Sequence, residues 1–216
     1  MTDLVILVPM LHRAHRVAPL LDSIHATAPD ARVLFLCTRN DTAVLAAVAD
    51  HEHLVFPPAG RGDYQRKINA GYQATTEPLL FLAADDLRFH PGWKAAAVAK
   101  LTDGVGVVGT NDLGSPRVIA GEHATHCLIS RDYVDRHGTI DEPGKVLHEG
   151  YPHEFCDDEL VGTAKHRNAW AFASDAHVEH LHPNWGKAPS DDLYAAQHTR
   201  IRVGRRIYQR RRRLWT

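Results

Sequence analysis

Glu77–Trp93 reads EPLLFLAADDLRFHPGW, and the fold turns on how this stretch is read. Pro78 to Ala84 is an apolar run with the length of a buried strand. Asp85 and Asp86 follow at once, and Pro91-Gly92-Trp93 opens a new element. Two adjacent carboxylates at the mouth of a buried strand are costly unless they meet a cation or reach water. Ligands of open α/β sheets bind outside the carboxyl ends of the strands, so the pattern points to a metal-assisted site. The plain structural alternative is an exposed turn, where Asp is common.

Working outward, the first 110 residues alternate strand and helix. Leu4 to Pro9 (LVILVP), Arg32 to Cys37 (RVLFLC), Leu54 to Phe56 and Val105 to Gly109 read as further strands. Val17, Leu20, Leu21 and Ile24 recur at helical spacing, Asn40 or Asp41 can cap a helix over 43–49, and 64–74 and 92–101 are helical. Pro57 to Asp63 is a Gly/Pro-rich loop. This rhythm predicts an α/β fold with a mostly parallel sheet flanked by helices. Neither GxGxxG after the first strand nor GxxxxGK[ST] occurs, so a nucleotide would be held by other means. The second half is less regular. Two short strands are expected over 118–129, helices over 130–136, 153–165 and 191–202, and strands over 169–172 and 178–181. His180 and His182 share one side if the last strand stays extended.

With 216 residues the chain suits one sizeable domain. No apolar run approaches the roughly 20 residues of a membrane span, and MTDLVILVPM lacks the basic start and long apolar core of a signal peptide. Cys37, Cys127 and Cys156 are odd in number and widely spaced, which argues against a disulfide framework or a cysteine zinc site and for a reducing cytoplasm. Charge is poorly mixed: eight Arg lie in 200–213, and the rest holds 17 basic and 26 acidic residues, a net of −9. An acidic body with a basic tail suggests an anionic contact for the tail. Its Arg and aromatic residues suit nucleic acid, or an anionic membrane surface with Ile207, Tyr208, Leu214 and Trp215 as anchors.

Three constellations carry chemistry. Asp85 and Asp86 with His182 or His180 suit manganese, magnesium or zinc. Asp157, Asp158 and Glu159 in FCDDELVGTAKH could take a proton from a hydroxyl, or simply complement a helix start. Arg13, Asp63, Arg66, Lys67 and Asn69 could meet phosphates or a base, Arg66 reading best as surface charge.

Taken in order, VPMLHRAHRVAPLLDSI, KINAGYQATTEPLLFLAADDLRFHPGW, HEFCDDELVGTAKHRN and VEHLHP resemble the family-2-type glycosyltransferases of GT-A fold, with the flavour of small phage-encoded members. The resemblance covers the chain to about residue 190. It implies a nucleoside diphosphate sugar donor, UDP-type first, an ion (Mn2+ or Mg2+), and inverting displacement at the anomeric carbon. It implies one GT-A-like domain over 1–198, with 1–110 the nucleotide-binding half, 111–198 the acceptor half and 199–216 a basic arginine-rich tail. Asp86, five residues before Pro91, takes the metal position with His182. Ala84 stands where the first acid of the motif is usual. Pro9, Arg13, Asp63, Lys67, Asn69 and Asp85 fall on donor-binding positions, with Asn40 or Asp41 in place of the acid after the second strand. Asp157 takes the place of the base and Glu159 that of the acid two residues on.

The acceptor implied by the tail is DNA carrying a hydroxylated base, ahead of a protein side chain, a lipid-linked glycan or a polysaccharide, in a cytoplasmic (for a phage, host cytoplasmic) setting. Two other classes compete. A nucleotidyltransferase or metal-dependent phosphohydrolase would want a glycine-rich phosphate loop, which VPMLHRAHR lacks. A nucleic-acid-binding protein on a degenerate scaffold would need none of Asp86, Asp157 and His182.

Overall fold

Leu4 to Val8 are fully buried, and the strand they form, β1 (Leu4–Pro9), runs through the middle of the sheet. Its side chains alternate between two cores. Leu4, Ile6 and Val8 pack with Phe35, Phe81 and Trp93, while Val5 and Leu7 pack with Leu34, Ile68 and Leu82. A strand covered on both faces needs such an unbroken apolar run. The structure, a computed structural model, describes residues 3–60, 62–195 and 197–216.

After β1 come a short 3-10 turn and α1 (Val17–Thr27). Pro19 fits in the first turn of α1, where N–H groups lack helical acceptors. Next are β2 (Arg32–Thr38), α2 (Thr42–Ala47), β3 (His53–Phe56), α3 (Asp63–Gln73), β4 (Leu79–Leu82), β5 (Leu87–Phe89) and α4 (Trp93–Val98). Asp41 caps α2 by accepting from Val44 N. The second half runs β6 (Val107–Asn111), α5 (Pro116–Ile119), β7 (Cys127–Ser130), α6 (Arg131–Arg136), α7 (Cys156–His166), β8 (Trp170–His180), α8 (Asp192–Ala195) and α9 (Gln197–Arg211).

The sheet order is β3-β2-β1-β4-β7-β6-β8-β5. β3, β2, β1 and β4 are parallel neighbours, as are β6 and β8; β7 runs against β4 and β6, and β5 against β8. The predicted mostly parallel α/β sheet is therefore present, and the carboxyl ends of β1, β2 and β4 open on one edge. No described helix is long and apolar enough to cross a membrane.

Four expectations need correction. Residues 118–129 hold one strand, β7, preceded by the helix α5, because Pro116 at a helix start and the cap residue Ser115 favour a helical turn there. The two late strands are one. β8 pairs with β6 in its first half and with β5 in its second, and the exposed Ser174 and Asp175 mark a register shift between them. The helix expected over 191–202 is present as α8 and α9 but runs on past Arg202 to Arg211; Ala196 between them lies outside the described residues, with Met1, Thr2 and Arg61.

The fourth concerns the basic end, which is a docked helix. Ile207 and Tyr208 pack on the second core, Trp215 is buried, and Arg200 and Arg211 pair with Glu154 and Glu159. A Cβ at Gly204 would lie 2.7 Å from Glu154 O, so the helix seats there because the side chain is absent.

Candidate active site

β4 ends at Leu82 and delivers Asp85 and Asp86 to the open edge of the sheet, where both are buried. β1 ends beside it and delivers Arg13 through His12, which sits in the left-handed region at φ 58. That conformation is unfavourable for a non-glycine residue. It is held by the buried Asp41, whose Oδ2 accepts from His12 N at 2.6 Å. Arg13 Nη1 donates to Asp85 Oδ1 at 3.0 Å and lies 3.6 Å from Asp86 Oδ2. Its other face grips Asp191, through Nε at 2.8 Å and Nη2 at 3.0 Å, and its guanidinium covers the Tyr194 ring at 4.0 Å.

Asp86 is more heavily subscribed on one oxygen than on the other. Oδ2 accepts from Tyr194 OH at 2.6 Å and lies 3.3 Å from His180 Nε2, while Oδ1 is buried without a partner among the described residues. Burial, with the neighbouring Asp86 charge, pushes Asp85 upward against the pull of Arg13. Asp86 goes the other way. Against the desolvation of its burial, His180 and the Tyr194 hydroxyl hold it well below the usual carboxylate range. His180 is raised because Asp86 outweighs desolvation. His182 and His126 are each lowered to about 4, by burial and by the His180 charge.

A neutral imidazole and a carboxylate oxygen without a partner are what a divalent cation needs. The polarity of His182 complicates its expected part. Its Nδ1 accepts from Asn184 N at 3.1 Å as the cap of a 3-10 turn, which leaves the proton on Nε2. A ligating imidazole instead donates its second N–H to an acceptor, so His182 must turn before it can hold an ion. His180 is the imidazole that touches Asp86.

The other expected donor residues divide. Pro9 ends β1 in register with Leu36. Lys67 is fully buried and donates to Met10 O at 3.0 Å and Thr38 Oγ1 at 2.8 Å, with Asp63 at 2.6 Å, so it ties the ends of β1 and β2 to α3. Asn69 donates to Leu147 O and Glu149 Oε1 and accepts from Val146 N and Leu147 N. That side chain is consumed in holding the 146–149 segment. A Cβ at Gly62 (φ 65) would lie 2.7 Å from Glu149 O, so the same segment crowds the start of α3.

On the other side of the edge α7 begins after Phe155, another left-handed non-glycine at φ 75. Asp157 Oδ2 lies 3.2 Å from His123 Nε2, and Asp158 Oδ1 accepts from Arg117 at 2.9 Å. Despite the desolvation of its burial, the His123 contact lowers Asp157, so it stays ionised. Burial, then the Asp157 charge, raises Asp158. Tyr64 bridges toward this helix: its hydroxyl donates to Ala83 O at 3.2 Å, just before the acidic pair, and its ring meets His153, just before α7, with 5.4 Å between ring centroids; burial raises it. Glu159 points elsewhere. It is buried, with Arg211 Nε, Arg211 Nη2 and Tyr151 OH each donating at 2.7 Å. Three donors occupy it.

Among the described residues, two clusters bring three ligating groups together: His123–Asp157–Asp158 and the loop set Asp141–Glu142–His148. Neither contains Asp86. Reasoning on the sequence missed His123, Tyr194 and Asp191. His123 and His126 in GEHATHC carry no periodic signal, and Tyr194 meets Asp86 only through the fold.

No family model and no curated protein matches the chain. Solved structures do. A mannosyltransferase of Pyrobaculum calidifontis, in complex with GDP-Man and Mn2+, aligns over 94% of this chain and 61% of its own at 15% identity and a TM-score of 0.67. Staphylococcus aureus TarS aligns over 82% and 36% at 12% and 0.61. Mycobacterium tuberculosis glucosyl-3-phosphoglycerate synthase, in complex with Mn2+, UDP and its product, aligns over 93% and 77% at 16% and 0.58. The chain thus spans about three fifths of the first and about a third of the second. What it shares with them is the α/β fold of the GT-A-type glycosyltransferases.

Proposed function

We propose that the chain is a metal-dependent, inverting glycosyltransferase that moves a sugar from a nucleoside diphosphate, UDP-type first, to an acceptor hydroxyl. The leading acceptor is a hydroxylated base in DNA, and the setting is cytoplasmic, as for a small phage-encoded enzyme. The observation that carries this reading is the buried Asp85–Asp86 pair at the carboxyl end of β4. It lies within reach of Arg13 and His180, and Tyr64 links its strand end, through Ala83 O, to His153 ahead of the helix that carries Asp157.

Asp86, through the oxygen left without a partner, and a neighbouring imidazole would hold Mn2+ or Mg2+. The ion would neutralise charge on the departing diphosphate. Arg13 offers a planar fork to phosphate oxygens. Its present carboxylate partner, Asp191, occupies the same donors, so donor entry displaces the start of α8. Asp157, kept ionised by His123, takes the acceptor proton. Lys67, Thr38 and Asp41 shape the floor beneath the nucleoside at the ends of β1 and β2.

A thermal-shift series of UDP, GDP, dTDP and CMP, with and without manganese, tests this. Ligand binding to the folded state raises apparent stability. A manganese-dependent shift for one nucleoside diphosphate, lost in Asp86→Ala, is expected. No shift with any of them would remove the donor and with it the transferase.

A further inference from the structure

Residues 197–216 contain no acid and eight Arg, and the docking of α9 divides these arginines. Arg200 and Arg211 face the body and pair with Glu154 and Glu159. Arg202, Arg205, Arg206, Arg210, Arg212 and Arg213 are exposed, and among the described residues none has an ion-pair partner. Arg202, Arg206 and Arg210 follow one another at steps of four along one side of α9, and Arg213 comes next in the 3-10 turn Arg212–Leu214 that ends it. The opposite side, with Gly204, Tyr208 and Trp215, is seated on α7 and its surroundings. Like charges four residues apart on a helix each cost about 0.2–0.5 kcal/mol. The free protein carries this repulsion and a polyanion would relieve it.

We infer that the outer face of α9 is a docking surface for the phosphate backbone of nucleic acid, and that it presents the acceptor to Asp157. This rests on the transferase reading for the role of Asp157. Charge density favours this occupant. Six charges over 202–213 span about 16 Å of helix, about one per 3 Å, against roughly one phosphate per 3.4 Å along a DNA strand. Polarity disfavours a membrane. A helix lying on a bilayer turns its apolar face outward, whereas Tyr208 and Trp215 are turned inward and only Leu214, at 54% exposure, remains outside. Position favours an acceptor role. Trp215 Nε1 lies 3.2 Å from where a Cβ on Gly162 of α7 would stand. The inward side of α9 reaches the start of α7 as well, where the Phe155 and Tyr208 ring centroids are 5.7 Å apart and Arg200 and Arg211 pair with Glu154 and Glu159, on either side of Asp157 in the chain, so the arginine face rises from the flank of the turn that carries Asp157. The rest of the chain is acidic, so this strip is where a polyanion is drawn.

The test is fluorescence anisotropy of a labelled 20-base-pair DNA duplex with the full chain, over a salt series, without nucleotide or manganese. Six phosphate contacts give a log–log salt slope of about −5, and two give about −2. Wild type should show the steep slope, and Arg202→Gln/Arg206→Gln/Arg210→Gln/Arg213→Gln the shallow one with unchanged far-UV circular dichroism. A wild-type slope near zero would overturn the inference without recourse to any variant. So would a quadruple variant that folds and binds as wild type, or binding to phosphatidylserine vesicles in preference to DNA. Wild type that binds duplex steeply yet shows no manganese-dependent nucleotide shift would retain the surface and remove the transferase reading. The reverse result would do the opposite.

Discussion

Arg211→Ala separates a structural Glu159 from a catalytic one. In the folded protein Glu159 is 3% exposed and receives two hydrogen bonds from Arg211 and one from Tyr151. Removing Arg211 leaves a buried carboxylate with the tyrosine alone. Breaking one side of a buried ion pair costs about 3–5 kcal/mol, because the remaining charge is uncompensated. For a domain of this size that is a fall in Tm of roughly 6–20 °C. Urea unfolding followed by circular dichroism measures it, with an unchanged m-value showing that the folded state is intact. Two controls fix the interpretation. Asp141→Ala removes the more exposed partner of Arg211 and should cost under about 1 kcal/mol. Glu159→Gln with Arg211→Met should recover most of the loss, since a matched apolar or neutral replacement is often nearly free. A loss below about 1 kcal/mol for Arg211→Ala would refute the reasoning. So would a Glu159→Gln variant of normal stability whose turnover falls a hundredfold, which would return Glu159 to the catalytic set.

Other expectations follow from the same charges. Asp157→Asn should lower transfer by about 10²–10⁴ while leaving the manganese-dependent nucleotide shift in place; loss of the shift as well would mean a fold or donor defect. The raised His180 pairs with Asp86 fully below about pH 6.5, and this contribution fades as pH rises through its raised value. A cation competing for Asp86 should therefore bind more tightly as pH rises through that window, and His180→Gln should flatten the pH dependence of manganese binding. His123 is raised because Asp157 outweighs the burial that would lower it; with His123→Asn, the pH–rate profile for transfer should lose the limb that reports this imidazole. Tyr194→Phe deletes the hydroxyl on Asp86 and should strengthen manganese-dependent nucleotide binding several-fold in the thermal-shift titration.

The parallel half of the sheet was legible because a strand buried on both faces leaves an unbroken apolar run, as in Leu4–Val8 and Leu79–Leu82. The acidic pair was legible because two carboxylates directly after such a run have few structural explanations. β8 was not, because Ser174 and Asp175 look like a turn, and only the pairing of β6 with residues on both sides of them makes them a register shift within one strand. Nor could the environment of Glu159 be read, since the residue that occupies it lies 52 positions on. α9 hid its docking for a related reason. Its inward residues include Gly204 and Arg211, neither of which scores as apolar, so the amphipathic pattern is weaker than the seat it makes.

The open edge of the sheet beside Asp85 and Asp86 is charge-balanced by the protein itself. The guanidinium of Arg13 makes with Asp191 the two-pronged contact it would make with a phosphate, and Asp86 Oδ2 is met by an imidazolium and a hydroxyl where a cation would lie. Both stand-ins bearing on the donor, Asp191 and Tyr194, come from residues 191–194, at and just before α8. A ligand that brings a cation and a diphosphate together can replace both, because each half compensates the group that the other exposes. A cation alone would leave Arg13 on Asp191 and so keep Tyr194 in place. A nucleoside diphosphate alone would add anionic charge beside two carboxylates. On the transferase reading proposed above, the edge would therefore take the metal and the diphosphate as one unit. The measurable consequence is that nucleotide affinity should depend on manganese far more steeply in wild type than in an Asp191→Ala/Tyr194→Phe variant.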